Sequence, residues 1–255
     1  MRLRRSLIPY ITAGDPHMGA TLEFMHVLSP HADIIEVGMP FSDPIADGPV
    51  IQAAHARALE GGATVDGVFE TLRRFTDVDD TPVVMMTYHN IIYRRGIERF
   101  AADAREAGVT GLLSVDLPVE ESGALCMACA DAGLETVFLA APNTSDNRLA
   151  RIDAATTGYV YLVSRFGTTG VSHEVSSDLG TFVSRARSIC SNPFAVGFGI
   201  STPAHVEKVL ATGADGVIVG SALVRCIEEH GATAGTALGT CIKDLSRGLR
   251  TIHGG

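Results

Sequence analysis

Residues 210–221 read LATGADGVIVGS. A helical run ends at Gly213, a short polar step follows, and then comes an unbroken apolar run, Val217 to Val219, closed by Gly220 and Ser221. A glycine just past a helix suits the left-handed backbone of a C-cap. A strand that is apolar throughout, rather than at alternate positions, is buried on both faces, as in a parallel sheet. The same succession, with the helical run ending near Gly or Asp, recurs upstream in SPHADIIEVG (29–38), REAGVTGLLSVD (105–116), ADAGLETVFLA (130–140) and ATTGYVYLVS (155–164).

Extending outward, the pattern predicts eight strands, near 7–12, 33–37, 83–88, 111–116, 135–140, 159–163, 194–198 and 216–220. Helical stretches such as GIERFAADAREAG (96–108) and TPAHVEKVLATG (202–213) separate them, with Thr202 predicted as an N-cap and Pro203 as the first helical residue. Eight βα units with no Pro/Ser-rich linker predict an α/β chain folded as a single (β/α)8 TIM barrel spanning 1–255. A doubly wound open sheet is the alternative, weakened because no GxGxxG follows the first strand.

Composition narrows the function. Hydrophobic residues make up 46% of the 255, and the net charge is −9 with no basic block beyond RLRR at 2–5. That balance excludes a nucleic-acid partner. No stretch reaches the ~18 apolar residues of a membrane span, and SLIPYIT breaks at Pro9, so neither membrane nor signal peptide is predicted. Five cysteines, an odd number, point to reduced thiols and a cytoplasmic protein. Cys126 and Cys129 form a CxxC, but no second pair or suitably spaced histidine accompanies it, so a buried helix is expected there.

In a barrel of this kind the chemistry sits at the C-terminal ends of the strands. Glu36 ends strand 2, Tyr88 and Asn90 end strand 3, Asp116 ends strand 4, and Tyr161 lies in strand 6. A glutamate inside a barrel resists ionisation unless paired, so its pKa should rise, as suits a proton donor. A structural ion pair is the competing reading, but no Lys or Arg ends an adjacent strand. The following loop, EVGMPFSDPIADGP (36–49), carries Asp43 and Asp47 and is either a solvated turn or a device for presenting carboxylates. GFGIS (197–201) and VGSALV (219–224) close strands 7 and 8 and open helices, the usual barrel phosphate site, with Gly199, Gly220 and Ser221 at the anion. Lys208 and Lys243 are the only lysines and both fall on outer helices, which excludes a Schiff-base aldolase. The nine histidines are scattered, with none at metal-ligand spacing, so no metal is expected. What remains is acid–base chemistry by carboxylates on a phosphorylated substrate, without a cofactor.

LIPYITAGDP (7–16), IEVGMPFSDPIADGPVIQ (35–52), DLPVEES (116–122), YLVSRFGTTG (161–170) and GFGIS…VGSALV, in this order, resemble the tryptophan synthase α subunit family. The resemblance implies retro-aldol cleavage of indole-3-glycerol phosphate to indole and glyceraldehyde 3-phosphate. It implies that Glu36 protonates the indole ring carbon, that Asp47 holds the indole N–H, and that Tyr10, Thr12 and Tyr161 line the substrate. It assigns Gly170, Gly199, Gly220 and Ser221 to the phosphate, and Thr169 to a mobile loop that closes onto Asp47. It also implies a pyridoxal-phosphate-dependent β subunit as partner in an α2β2 assembly, reached partly through Asp43 and Pro44. The chain departs from the family pattern in YHNII, which lacks a proline after the asparagine, and in Phe166 and Thr168 of the loop. A stand-alone lyase releasing free indole, and a weakly active subunit that mainly activates its partner, are the alternatives.

Overall fold

The computed structural model describes residues 1, 3–163, 177–197 and 199–249. Every predicted strand forms: β1 Ser6–Thr12, β2 Ile35–Gly38, β3 Val83–Thr87, β4 Gly111–Ser114, β5 Glu135–Thr136, β6 Phe138–Ala140, β7 Val160–Val163, β8 Phe194–Gly197 and β9 Gly216–Val219. All pairings are parallel, in the order β5-β4-β3-β2-β1-β9-β8-β7-β6. The predicted fifth strand is broken at Val137. Its first half pairs with β4 and its second half with β7, so one stave passes its hydrogen bonds from one neighbour to the other. The nine segments are therefore eight staves of a nearly closed barrel, and the open-sheet alternative falls.

Two apolar layers hold it. Inside the barrel, Ile8, Ile34, Val84, Leu113, Val137, Tyr159, Ala195 and Ile218 form one cluster, with Leu3 packed on it. Outside, the alternate strand residues meet the helices around Leu7, Ile11, Phe24, Phe100 and Val217. Burying such side chains contributes about 1.5–3 kcal/mol each.

The helices that matter for the site are α1 Met18–Leu28, α2 Pro49–Glu60, α3 Val65–Thr76, α4 His89–Arg95, α5 Ile97–Glu106, α6 Gly123–Ala132, α7 Asp146–Ala155, α8 Ser177–Ile189, α9 Pro203–Ala211 and α10 Ser221–His230. Thr202 caps α9 as expected, accepting from the His205 N–H with Pro203 first in the helix. The glycine rule holds at Gly108, Gly133 and Gly213, whose φ values are 77°, 71° and 97°. It fails at Gly158. There α7 ends on Thr156, and a Cβ on the glycine would lie 3.3 Å from the Thr136 carbonyl, so close approach rather than handedness requires the glycine. Cys126 and Cys129 lie in α6 with Cys129 fully buried, the helical role expected of them. Both lysines sit exposed on outer helices, Lys208 on α9 and Lys243 on the helix Gly235–Leu245.

Candidate active site

Barrel register decides which side chains meet. Tyr10, Glu36 and Val84 stand side by side on β1, β2 and β3. Val84 belongs to the inner cluster, so this level faces the barrel interior. Glu36 is 0% exposed. Its Oε1 accepts a hydrogen bond from the Tyr159 hydroxyl across the barrel, and its Oε2 is buried without a partner. Burial pushes the Glu36 carboxyl up to about 7, with the Tyr159 hydrogen bond pulling it partly back. Burial and the charge of Glu36 also raise the Tyr159 phenol well above its usual range, so the proton between them stays on the phenol. The predicted elevation of Glu36 thus has its expected cause, desolvation.

The second carboxylate is held differently. Asp47 lies in the acidic loop just before α2. Its Oδ2 accepts from the Tyr88 hydroxyl at 2.8 Å, and His55 Nε2 stands 3.3 Å from the same oxygen. Tyr88 also accepts from the Ala46 N–H at 3.1 Å, and its ring stacks on Phe41 at 4.8 Å. Gln52 ties the loop from the helix side through the carbonyls of Pro44 and Asp47. The loop is therefore a fastened platform and not a solvated turn. Asp43 is exposed, its side chain accepting from the Ser42 hydroxyl at 2.5 Å and its carbonyl from the Ile45 N–H at 2.8 Å; Asn90 is exposed as well, and Asp116 accepts from the first amide of α4, the His89 N–H.

Between these groups and β9 lies a pocket with about 560 Å³ of empty space, part of it open to solvent. Tyr10, Asp47 and Tyr161 supply its polar atoms, Ile51, Met86 and Ile218 its apolar wall, and Gly199, Gly220 and Ser221 its far end. A slot with an apolar wall and a few fixed polar groups suits a flat aromatic ring. Tyr10 and Tyr161 are both raised well above the usual phenol range, first by burial and then by the charges of Asp47 and Glu36, so both remain neutral donors. Gly38 and Gly197 are glycines because a Cβ would collide with the hydroxyls of Tyr10 and Tyr161 respectively. Thr12 does not line the cavity; its hydroxyl lies behind, 3.2 Å from that of Tyr10. Glu36 does not line it either, being covered.

At the far end α10 begins directly after β9. The first-turn amides of Ser221 and Ala222 have no carbonyl one turn back, an arrangement of the kind that suits an anion. Gly199 takes the left-handed conformation, φ 69°. Gly220 does not need one, with φ −113°. A Cβ there would stand 3.3 Å from the Tyr10 ring, a tight contact that favours the glycine. Gly220→Val is expected to raise KM for a phosphorylated substrate about 10-fold or more by blocking backbone approach, with inorganic phosphate competing against substrate in the unmutated protein. An unchanged KM together with no inhibition by phosphate would place the anion elsewhere. Thr169 and Gly170, and the predicted lid at 164–174 with Phe166 and Thr168, lie outside the described residues.

A more open groove of about 700 Å³ runs between α3 and α5. Most of its charges are paired, with Arg95 2.7 Å from Asp66 and also paired with Asp103, and Arg73 bound to Glu70. Among the described residues no cluster of His, Cys, Asp and Glu fits a metal ion, and no helix is long and apolar enough to cross a membrane.

A barrel with a buried carboxyl of raised pKa beneath a pocket, a fastened carboxylate at one end and helix amides at the other suits acid–base chemistry on a phosphorylated substrate. The family model for the tryptophan synthase alpha chain matches residues 1–247. Tryptophan synthase alpha chains from Thermococcus kodakarensis and Pyrococcus abyssi are 51% and 47% identical, covering 88% and 94% of this chain and 89% and 97% of theirs. A chain of the tryptophan synthase a2b2 complex of Pyrococcus furiosus superposes with a TM-score of 0.93 at 48% identity, covering 96% of this chain and 99% of that one. This chain belongs to the tryptophan synthase alpha chain family.

Tyr159 and His55 were not singled out from the sequence as site residues. Tyr159 had a usable signal, because in YVYLV it stands two residues before Tyr161 and so faces the same interior, where a phenol needs a partner. His55 had one too: it occupies the apolar stripe of α2.

Proposed function

We propose that this chain is the α subunit of a tryptophan synthase and cleaves indole-3-glycerol phosphate to indole and glyceraldehyde 3-phosphate, with Glu36 as the proton donor. The observation that carries the reading is a fully buried carboxyl pushed up to about 7 under a pocket with an apolar wall that ends at a helix N-terminus. The phosphate sits on α10 and Gly199, the indole lies against Ile51 and Ile218, and Asp47 takes the indole N–H. Glu36 must turn from Tyr159 toward the cavity, and its unpartnered Oε2 is the atom free to do so. It gives its proton to the ring carbon that bears the glycerol chain. The neighbouring hydroxyl then loses its proton as the carbon–carbon bond breaks and its carbon becomes the aldehyde. The carboxylate left on Glu36 can accept that proton, which restores the acid and balances the reaction. Tyr10 and Tyr161, kept neutral, are donors beside the reacting chain. The residues need no cofactor for this sequence.

The P. furiosus chain works in an a2b2 complex, and we assign this chain a β subunit as partner on the same pattern. The stand-alone and mainly activating readings are not favoured, since the likeness runs along almost the whole chain. Exposed apolar residues on the barrel's C-terminal face support a docking partner there: Ile45, 85% exposed on the acidic loop, and Tyr93, 72% exposed on α4. The five free cysteines support a cytoplasmic setting. Steady-state cleavage of indole-3-glycerol phosphate, with and without the cognate β subunit, tests the proposal. Cleavage that the β subunit accelerates is expected, and no indole under either condition would end it.

A further inference from the structure

α2 carries a histidine where a core residue would stand. Ile51, Ala54, His55 and Ala58 follow the helical stripe and all four are buried, with His55 2% exposed. Two contacts fix how the ring is used. The backbone N–H of Phe41 donates to His55 Nδ1 at 3.3 Å, so in the neutral ring that nitrogen is the acceptor and the proton sits on Nε2. Nε2 then faces Asp47 Oδ2 at 3.3 Å, close enough to pair but off the line of a hydrogen bond, which leaves it a buried donor without an aligned acceptor. Tyr88 packs edge-on against the His55 ring, with centroids 6.4 Å apart, and gives its own hydroxyl to the same Oδ2.

We infer that His55 is a positioning residue for Asp47: the Tyr88 hydroxyl holds Oδ2, the Nε2–H stands beside it ready to add a second bond, and Oδ1 is left to meet the substrate. Among the described residues no hydrogen bond reaches Oδ1, while Asp47 lines the cavity. A carboxylate fixed by one donor still turns about its last bond; one fixed by two does not. A small turn of Asp47 onto the Nε2–H line would make the second bond when substrate arrives, as bonds loose in an empty site often tighten. The Phe41 amide sets the tautomer, so the fold of the acidic loop controls whether the donor exists. This inference rests on the role proposed for Asp47 and adds the residue that sets its geometry.

Two substitutions separate positioning from anchoring. His55→Gln keeps an N–H near the reach of Nε2, whereas His55→Asn keeps an acceptor for the Phe41 amide but falls short of Asp47. With the β subunit present, the Asn variant is expected to lose on the order of 10-fold in kcat, the size of one hydrogen bond to a charged group, with KM little changed; the Gln variant should recover most of it. A structural anchor would give the reverse order and overturn the inference. In an Asp47→Asn background the His55→Asn change should add nothing, and an undiminished second loss would also overturn it. Nitrogen-15 NMR of the unmutated protein should find the His55 proton on Nε2; a proton on Nδ1 would overturn it without any variant. An inactive Asp47→Asn protein beside a fully active His55→Asn protein sinks His55 alone, whereas a fully active Asp47→Asn protein sinks the role of Asp47 and His55 with it.

Discussion

Glu36→Gln lowers kcat for cleavage by about 10³-fold or more and leaves the barrel folded: that is the expected result if Glu36 is the acid, since positioned general acids contribute about 10²–10⁴. The glutamine keeps the shape of the side chain and keeps an oxygen for the Tyr159 hydroxyl to bond. It has no proton to give. With its pKa near 7, Glu36 still carries a proton on about half the molecules at neutral pH, whereas an exposed glutamate would carry almost none. The sign of the pH dependence follows. Raising the pH through about 7 removes the proton, so the cleavage rate should fall on the alkaline side with Glu36 as its cause. Single-turnover cleavage between pH 5 and 9 (a range of about two units either side of that value) measures both effects. A Gln variant that keeps more than about a tenth of kcat would take the acid role from Glu36.

The barrel was legible because its signal is local. Continuous apolar strands and glycine-capped helices are written into neighbouring residues, as in 210–221. Strand ends were less so. Tyr88 was read as the end of a strand, but it lies just past β3 with extended backbone and precedes α4, whose first amide donates to Asp116 in the turn after β4. The break at Val137 was invisible too, since it arises from the geometry of closing a ring and not from a turn residue. At the site, Glu36 announced itself as a charge in an apolar strand, and the proline-bearing loop announced Asp47. Their partners did not. Tyr159 lies 123 residues from Glu36 in the chain and meets it only because the barrel closes. His55 looked like one of nine scattered histidines until α2 turned it under the acidic loop. Gly38 and Gly197 close their strands, and nothing local shows that the space they leave is taken by two phenols.

The same buried acid has a thermodynamic signature. Glu36 titrates near 4.5 in an unfolded chain and near 7 in the folded one. Between those values the unfolded state has released its proton while the folded state still holds it. Stability changes with pH in proportion to protons bound unfolded minus protons bound folded, here minus one, so it falls as pH rises, by about 1.4 kcal/mol per unit. Below the unfolded value Glu36 contributes no pH dependence; above about 7 the loss is complete, at ~3 kcal/mol. Glutamine has nothing to ionise. Denaturant unfolding of the unmutated and Glu36→Gln proteins is therefore expected to show a stability difference that grows in favour of the variant from about pH 4.5 to about pH 7 and is flat on either side. A buried amide brings N–H groups that need partners, a penalty of about 1–3 kcal/mol, but that penalty is the same at every pH. The slope of the difference, and not its offset, isolates Glu36, because every other titrating group is common to both proteins. A difference that stays constant across this window would mean that the folded barrel holds Glu36 ionised, and the acid would have to be sought elsewhere in the cavity.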